Sequence, residues 1–130
     1  MIVDSSAILA ILFAEPDAAV FAAAMSAADS CTISAATLVE VAVVVEAQTN
    51  GRGNLQLDAL LRRAGCSIEP VTEEQAHLAR QAYSSYGKGR HPAGLNFGDC
   101  FSYALAQAKG EALLYKGRDF ARTDIVSALG

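Results

Sequence analysis

The regular alternation of short apolar segments with longer helix-forming ones limits the possible folds of this chain more than any other feature. The strand-like segments are residues 2–4, 31–33, 66–71 and 112–115, and Ile125 with Val126 offers a fifth. A segment that is short, apolar and without polar alternation is typical of a strand buried on both faces. Such strands, alternating with helices, predict an α/β fold with a mainly parallel sheet of four or five strands, flanked by helices in three layers.

Helices are predicted between the strands from apolar residues at three- and four-residue spacing and from capping residues at the helix ends. Ser34, Asn54 and Thr72 are predicted N-caps. A stripe of Phe97, Phe101 and Leu105 is expected to face the core. The predicted helices cover residues 6–13, 17–28, 35–48, 54–64, 72–86 and 96–109. At 130 residues the chain is expected to form one domain, residues 1–130.

The composition excludes disorder and membrane-spanning classes. Apolar residues make up 52% of the chain and charged residues 18%. The apolar stretch 35–47 is interrupted by Glu40 and Glu46, and no basic region precedes an apolar segment as in a secretory signal. We therefore expect a cytoplasmic protein without a membrane partner. The three cysteines, which are widely spaced and predicted to be reduced core residues, are Cys31, Cys66 and Cys100.

Charge is distributed unevenly along the chain, whose net charge is -4. Residues 1–50 contain no Lys or Arg. The last third contains the basic residues Lys88, Arg90, Lys116, Arg118 and Arg122, with His91 beside them. A fold that joins the two halves would place an acidic pocket beside a basic rim, which suits a metal ion and a phosphate backbone. The alternative is a solvated surface with scattered charge.

Four carboxylates lie at positions where such a fold could bring them together. Asp4 follows the first strand, Glu40 lies in the helix after the second, Asp99 begins a late helix and Asp119 follows the fourth strand. Ligands of open α/β sheets bind outside the carboxyl ends of the strands. Converging carboxylates repel one another and recruit a hard cation, Mg²⁺ or Mn²⁺. Taken alone, Asp4 could equally be only a capping residue.

At these positions the sequence resembles the PIN domain nucleases and, more narrowly, the VapC toxins of bacterial toxin–antitoxin pairs. The matching segments are Ile2-Val3-Asp4-Ser5-Ser6-Ala7, Ser34 with Leu38-Val39-Glu40, the block from Leu95-Asn96-Phe97-Gly98-Asp99 to Ala106, and the block from Leu114-Tyr115-Lys116-Gly117-Arg118-Asp119-Phe120 to Ile125. The resemblance spans the chain. Relatives often carry a second acid before the Asp-Phe pair, where this chain has Arg118.

The resemblance implies a PIN-like fold and a Mg²⁺- or Mn²⁺-dependent endoribonuclease that leaves a 5′ phosphate. We expect Asp4 and Asp99 to be the main metal ligands, Glu40 to act through water and Asp119 to complete a second position. Ser6 is expected to orient Asp4. Implied partners are an RNA substrate, a second copy in a homodimer, and a cognate antitoxin whose basic or aromatic tail enters the acidic groove.

Several polar residues are candidate contacts to RNA. Asn96 is expected to support Asp99 or to contact the substrate. The four candidates for binding RNA phosphates are Arg90, His91, Lys116 and Arg118. For each of these four, the alternative is ordinary exposed charge.

Other functional classes fit the sequence less well. A receiver-type signalling domain needs paired acids after the first strand, where this chain has Asp4-Ser5-Ser6. A phosphatase of the Asp-x-Asp kind fails at the same place, because Ser6 stands where the second Asp belongs. The glycines of residues 87–95 match no phosphate-binding loop. A PIN fold that binds RNA or a partner without cleavage remains an alternative.

Overall fold

The computed structural model describes residues 1–130 and contains a four-stranded sheet in which every strand pair is parallel. The strands are β1 (Ile2–Val3), β2 (Cys31–Ser34), β3 (Cys66–Glu69) and β4 (Leu113–Leu114), in the order β3-β2-β1-β4. The helices are α1 (Ser5–Leu12), α2 (Ala18–Ala27), α3 (Ala35–Thr49), α4 (Asn54–Arg63), α5 (Glu73–Tyr86) and α6 (Phe97–Lys109), followed by a 3₁₀ turn at Phe120–Arg122. The predicted α/β fold is confirmed, with four strands.

The two central residues of the sheet show how its faces are covered. Successive side chains of a strand point to opposite faces. Val3 accordingly packs in a core with residues of α1, α2, α3 and α4, whereas Ile2 packs in a second core with residues of α5 and α6. Both side chains are fully buried. The sheet is therefore the middle of three layers.

The parallel arrangement brings the carboxyl ends of β1, β2 and β4 to one edge of the molecule. The register pairs Ile2 with Thr32 and with Leu113. The backbone N–H of Asp4 continues this pairing by donating to the carbonyl of Leu114 at 2.9 Å. Asp4 and the loop after β4 therefore lie side by side. None of the helices is both long and apolar enough to cross a membrane.

Three local predictions are wrong. The possible fifth strand is only a single bridge between Leu113 and Ser127. The third strand ends at Glu69, because Pro70 has no N–H to donate to a ladder. Asn54 does not cap α4: its side chain donates to Glu46 Oε2 at 3.0 Å, and Gly53 occupies the cap position.

The prediction that Phe97 faces the core together with Phe101 and Leu105 is also wrong. Leu105 is fully buried, but Phe97 is 80% exposed. Phe97 is the first residue of α6, and the buried residues of this helix begin only at Cys100. Its ring packs edge-to-face on Phe101, with the centroids 5.0 Å apart. Periodicity indicates the direction of a side chain but not where the core ends.

Candidate active site

Asp4 is held at the end of β1 by hydroxyl groups from two helices. Its side chain is 2% exposed. The Ser6 hydroxyl donates to Oδ2 at 2.7 Å and the Ser6 backbone N–H at 3.1 Å, so Asp4 is indeed the N-cap of α1. Ser102 of α6 donates to Oδ1 at 2.6 Å. A capping residue alone does not need this buried contact from a distant helix, so the capping role is only part of the role of Asp4.

Asp99 is fixed in the first turn of α6 by a reciprocal capping box. Asn96 Oδ1 accepts from the Asp99 N–H at 2.9 Å, and Asp99 Oδ2 accepts from the Asn96 N–H at 3.0 Å. The pKa of Asp99 is raised to about 7, chiefly by burial. The hydrogen bond from Asn96 lowers it, and the charges of the other three acids raise it further. The fold therefore places the other three predicted carboxylates within electrostatic reach of Asp99.

Glu40 reaches this group from α3 with an oxygen left unused. Its Oε1 is buried and has no hydrogen-bond partner. Burial raises the pKa of Glu40, the Ser5 hydroxyl opposes the shift, and the charge of Asp4 adds to it. A buried acceptor without a donor is costly and suits a site that a water molecule or a cation completes.

Gly98 allows this approach of Glu40 to α6. A Cβ built at Gly98 would overlap with the Glu40 carboxylate. The absence of a side chain therefore lets the carboxylate lie against the first turn of α6. The partial positive charge of a helix N-terminus favours an anion there.

Asp119 differs from the other three acids because it is exposed. It precedes the 3₁₀ turn, whose first residue, Phe120, is 2% exposed and anchors the turn in the core. Arg118 is exposed beside it, at the position where the VapC-like pattern has a second acid. No three acidic, His or Cys side chains already enclose a cation position. The fit to a divalent ion rests on the oxygen donors and on the unpartnered Glu40 Oε1.

The candidate RNA-binding residues differ in whether their charges are already paired within the protein. The Lys116 ammonium is paired with Glu15 and Asp17, which raise its pKa, so it is not a free cation. Arg90 lies over the Tyr83 ring at 5.8 Å from the centroid.

His91 has a structural contact within its loop, and Arg118 has none. His91 Nδ1 accepts from the Ala93 N–H at 3.0 Å, and its ring packs edge-on against Tyr86. Arg118 is exposed and forms no ion pair with the protein. Arg118 is therefore the cation most available at this edge of the site.

Sequence reasoning missed three residues that contact the acids and a fourth, Thr37, that contacts one of those three, Ser102. They are Ser5, Thr37, Gly98 and Ser102. A signal was present for two of them, since Thr37 and Ser102 lie three residues from Glu40 and Asp99 and therefore on the same helix faces.

Comparison with known proteins identifies the protein family to which this chain belongs. The PIN domain family matches residues 1–126. The chain therefore belongs to the PIN domain family. This membership excludes the receiver-type and phosphatase alternatives.

Full-length relatives narrow the class further. The chain is 52% identical over 130 residues to Ribonuclease VapC28 of Mycobacterium tuberculosis, covering 99% of this chain and 98% of that protein. It is 46% identical over 127 residues to Ribonuclease VapC of Mycolicibacterium smegmatis, covering 98% of each. The predicted resemblance to the VapC ribonucleases is confirmed.

A solved structure supports the fold. The crystal structure of Mycobacterium tuberculosis VapC20, described as a sarcin-ricin loop cleaving toxin, matches with a TM-score of 0.78 over 96% of this chain and 95% of that chain. Its sequence identity is 18%, so this likeness bears on the fold alone.

Proposed function

We propose that this protein is a metal-dependent endoribonuclease that acts as the toxin of a toxin–antitoxin pair. The observation that carries the proposal is the convergence of four carboxylates. Burial and the charges of the three neighbouring acids raise the pKa of Asp99 to about 7. Repulsion of this kind is relieved by a hard cation. Full-length similarity to VapC ribonucleases supports RNA as the substrate.

Asp4 and Asp99 are the principal residues that would hold Mg²⁺ or Mn²⁺, with Asp119 completing the site from its exposed position. When bound, such an ion polarises the scissile phosphodiester and lowers the pKa of a bound water. Asp4 is already restrained at both oxygens by Ser6 and Ser102. Oδ1 accepts from Ser102 alone and keeps a lone pair free for a cation, whereas Oδ2 accepts from both the hydroxyl and the N–H of Ser6.

Glu40 is suited to orient the attacking water. Its Oε1 is the buried acceptor that lacks a donor, and it lies beside the first turn of α6. A water that donates to Oε1 is held at the carboxylate that can take its proton. The leaving group is the 3′ oxygen of the preceding nucleotide, so the product carries a 5′ phosphate.

Arg118 and Arg90 would hold the flanking RNA phosphates, because both guanidinium groups are free of carboxylate partners. Lys116 instead contributes through its backbone, whose N–H donates to Ser6 Oγ at 2.9 Å. The acidic groove is complementary to a basic antitoxin tail, which would occupy the same space as the RNA. A homodimer completes the proposed assembly.

The test is cleavage of RNA by the purified protein with Mg²⁺ or with chelator, beside Asp4→Asn and the control Asp58→Asn on the exposed face of α4. We expect wild type and Asp58→Asn to cleave in Mg²⁺ and Asp4→Asn to lose activity by at least 100-fold, because the metal ligand is gone. The fragments should be degraded by an exonuclease that requires a 5′ phosphate.

Two results would contradict the proposal. Cleavage that persists in chelator would exclude the metal, and full activity of Asp4→Asn would exclude the site. Wild type that binds RNA without cutting it under any metal condition would favour the alternative of a binding module.

A further inference from the structure

Two buried hydroxyls behind the acidic site are unexpected in the core. Ser102 and Thr37 are each 1% exposed. Ser102 lies among apolar residues of α6, and its neighbours Ala104 and Leu105 are equally buried. A hydroxyl taken from water costs free energy unless it is hydrogen-bonded, so its partners indicate its purpose.

The partners form a chain that ends on Asp4. Ser102 Oγ donates to Asp4 Oδ1 at 2.6 Å, and Thr37 Oγ1 lies 3.3 Å from Ser102 Oγ. Each hydroxyl has a single proton to donate. Because Ser102 gives its proton to Asp4, Thr37 must be the donor in its contact with Ser102.

The other oxygen of Asp4 has a matching arrangement. Ser6 donates to Oδ2 and itself accepts from the Lys116 backbone N–H at 2.9 Å. Both carboxylate oxygens are thus bound by hydroxyls that are polarised by a further donor, and such chains strengthen each bond. Asp4 is thereby tied to the loop after β4 through one oxygen and to α6 and α3 through the other.

The helical spacing links these hydroxyls to the other acids. Ser102 follows Asp99 by three residues in α6, and Thr37 precedes Glu40 by three residues in α3. Residues three apart lie on one face of a helix. Ser102 and Thr37 therefore each lie about one helical turn from the acid on their own helix. Together they connect the end of β1, α6 and α3, which carry Asp4, Asp99 and Glu40.

We propose that Ser102 and, through it, Thr37 are positioning residues that set the spacing of Asp4, Asp99 and Glu40 for a divalent cation. This inference rests on the proposed metal-dependent function. Without the Ser102 hydroxyl, Asp4 Oδ1 loses its donor and α6 loses its polar contact with the end of β1. The carboxylates then meet the ion with a wider range of spacings, which weakens binding.

The test measures Mg²⁺ binding to the full chain by isothermal titration calorimetry, together with the folding midpoint in chelator. Ser102→Ala and Thr37→Val delete one hydroxyl each with little change of volume. Thr32→Val is the matched control, since Thr32 is 7% exposed and makes no side-chain hydrogen bond to an acid. Ser102→Thr restores a hydroxyl at the same position.

We expect Ser102→Ala to weaken Mg²⁺ binding by about 10–100-fold, as loss of an outer hydrogen bond to a ligand typically does. Thr37→Val should weaken binding less, because it acts through Ser102. Thr32→Val should bind like wild type, and Ser102→Thr should recover most of the lost affinity. In saturating Mg²⁺, Ser102→Ala should regain more cleavage activity than Asp4→Asn.

Equal Mg²⁺ affinity in wild type and a folded Ser102→Ala variant would overturn the positioning role and leave the metal site intact. Equal weakening by Thr32→Val would also overturn it, since the effect would then follow from any buried hydroxyl. If wild type neither binds Mg²⁺ nor cleaves RNA, the proposed function fails and the positioning role fails with it.

Discussion

At Asp99 the folded protein holds a proton more tightly than the unfolded chain does. The pKa of this carboxyl rises from 3.8 to about 7, chiefly because of burial and further because of Asp4, Asp119 and Glu40. A raised acid pKa stabilises the fold fully below the unfolded value and loses that contribution as the pH rises through the folded value. In the metal-free protein, Asp99 therefore becomes increasingly destabilising as the pH rises above the unfolded value of 3.8, and the loss is complete above about pH 7.

We predict that Asp99→Asn raises the thermal midpoint of the chelated protein at pH 8. The amide removes the charge but keeps an acceptor for the Asn96 N–H. At pH 5 the folded wild type is protonated at this position and only the unfolded chain is ionised, so the difference should be clearly smaller than at pH 8. Thermal unfolding at both pH values, with Asp58→Asn as the exposed control, measures the effect. A lower midpoint for Asp99→Asn at pH 8 would show that Asp99 is not buried among carboxylates.

The sequence was sufficient to predict residues whose role follows from local rules. Asp4 is recognisable because a charge ends a buried strand, and Asn96 with Asp99 because the pair fits a helix start. The contact of Ser102 with Asp4 spans 98 residues of sequence, and no local pattern encodes it. The ion pairs of Lys116 with Glu15 and Asp17 escaped prediction for the same reason.

At the scale of elements, the stability of α6 and its close contact with Glu40 make opposite demands on residue 98. Glycine lowers helix stability relative to alanine by up to about 1 kcal/mol. The absence of a Cβ nevertheless lets the Glu40 carboxylate from α3 occupy its position, because a side chain at Gly98 would displace it. The close approach of α3 and α6 is therefore obtained at the expense of the stability of α6.

We predict that the effect of Gly98→Ala on stability changes sign with Glu40. In the wild-type background the new methyl collides with the carboxylate and should lower the free energy of unfolding. In a Glu40→Ala background the collision is absent, so Gly98→Ala should stabilise by up to about 1 kcal/mol through helix propensity. Urea unfolding of the four proteins of this cycle measures both effects. The same sign in both backgrounds would contradict the contact.

The elements themselves were largely predictable, but their packing was not. The strand and helix positions follow from apolar periodicity, and the end of β3 follows from Pro70 once the missing N–H is considered. The order β3-β2-β1-β4 depends on which strands meet over long distances. The exposure of Phe97 depends on what packs against the start of α6, which the helix sequence does not state.

At the scale of the whole molecule, exposed apolar side chains lie on the two helices that carry Glu40 and Asp99. Val39 and Val43 of α3 are 61% and 60% exposed, and Phe97 of α6 is 80% exposed. The two helices pack against each other, and the Glu40 carboxylate lies against Gly98. Val39 and Phe97 are the chain neighbours of these two residues and lie on the same two helices. Exposed apolar side chains on elements that carry a polar site are typical of an interaction surface.

We predict that this surface forms the homodimer and that Phe97→Asp and Val43→Asp each shift the protein to the monomer. Burial of a phenylalanine side chain contributes about 1.5–3 kcal/mol, and each dimer buries two copies. Sedimentation equilibrium should give twice the chain mass of 13.6 kDa for wild type and 13.6 kDa for both variants. Leu55→Asp is the control, because Leu55 is 79% exposed on α4, away from the site. A wild type that stays monomeric at micromolar concentration, or variants that stay dimeric, would show that these side chains serve another contact.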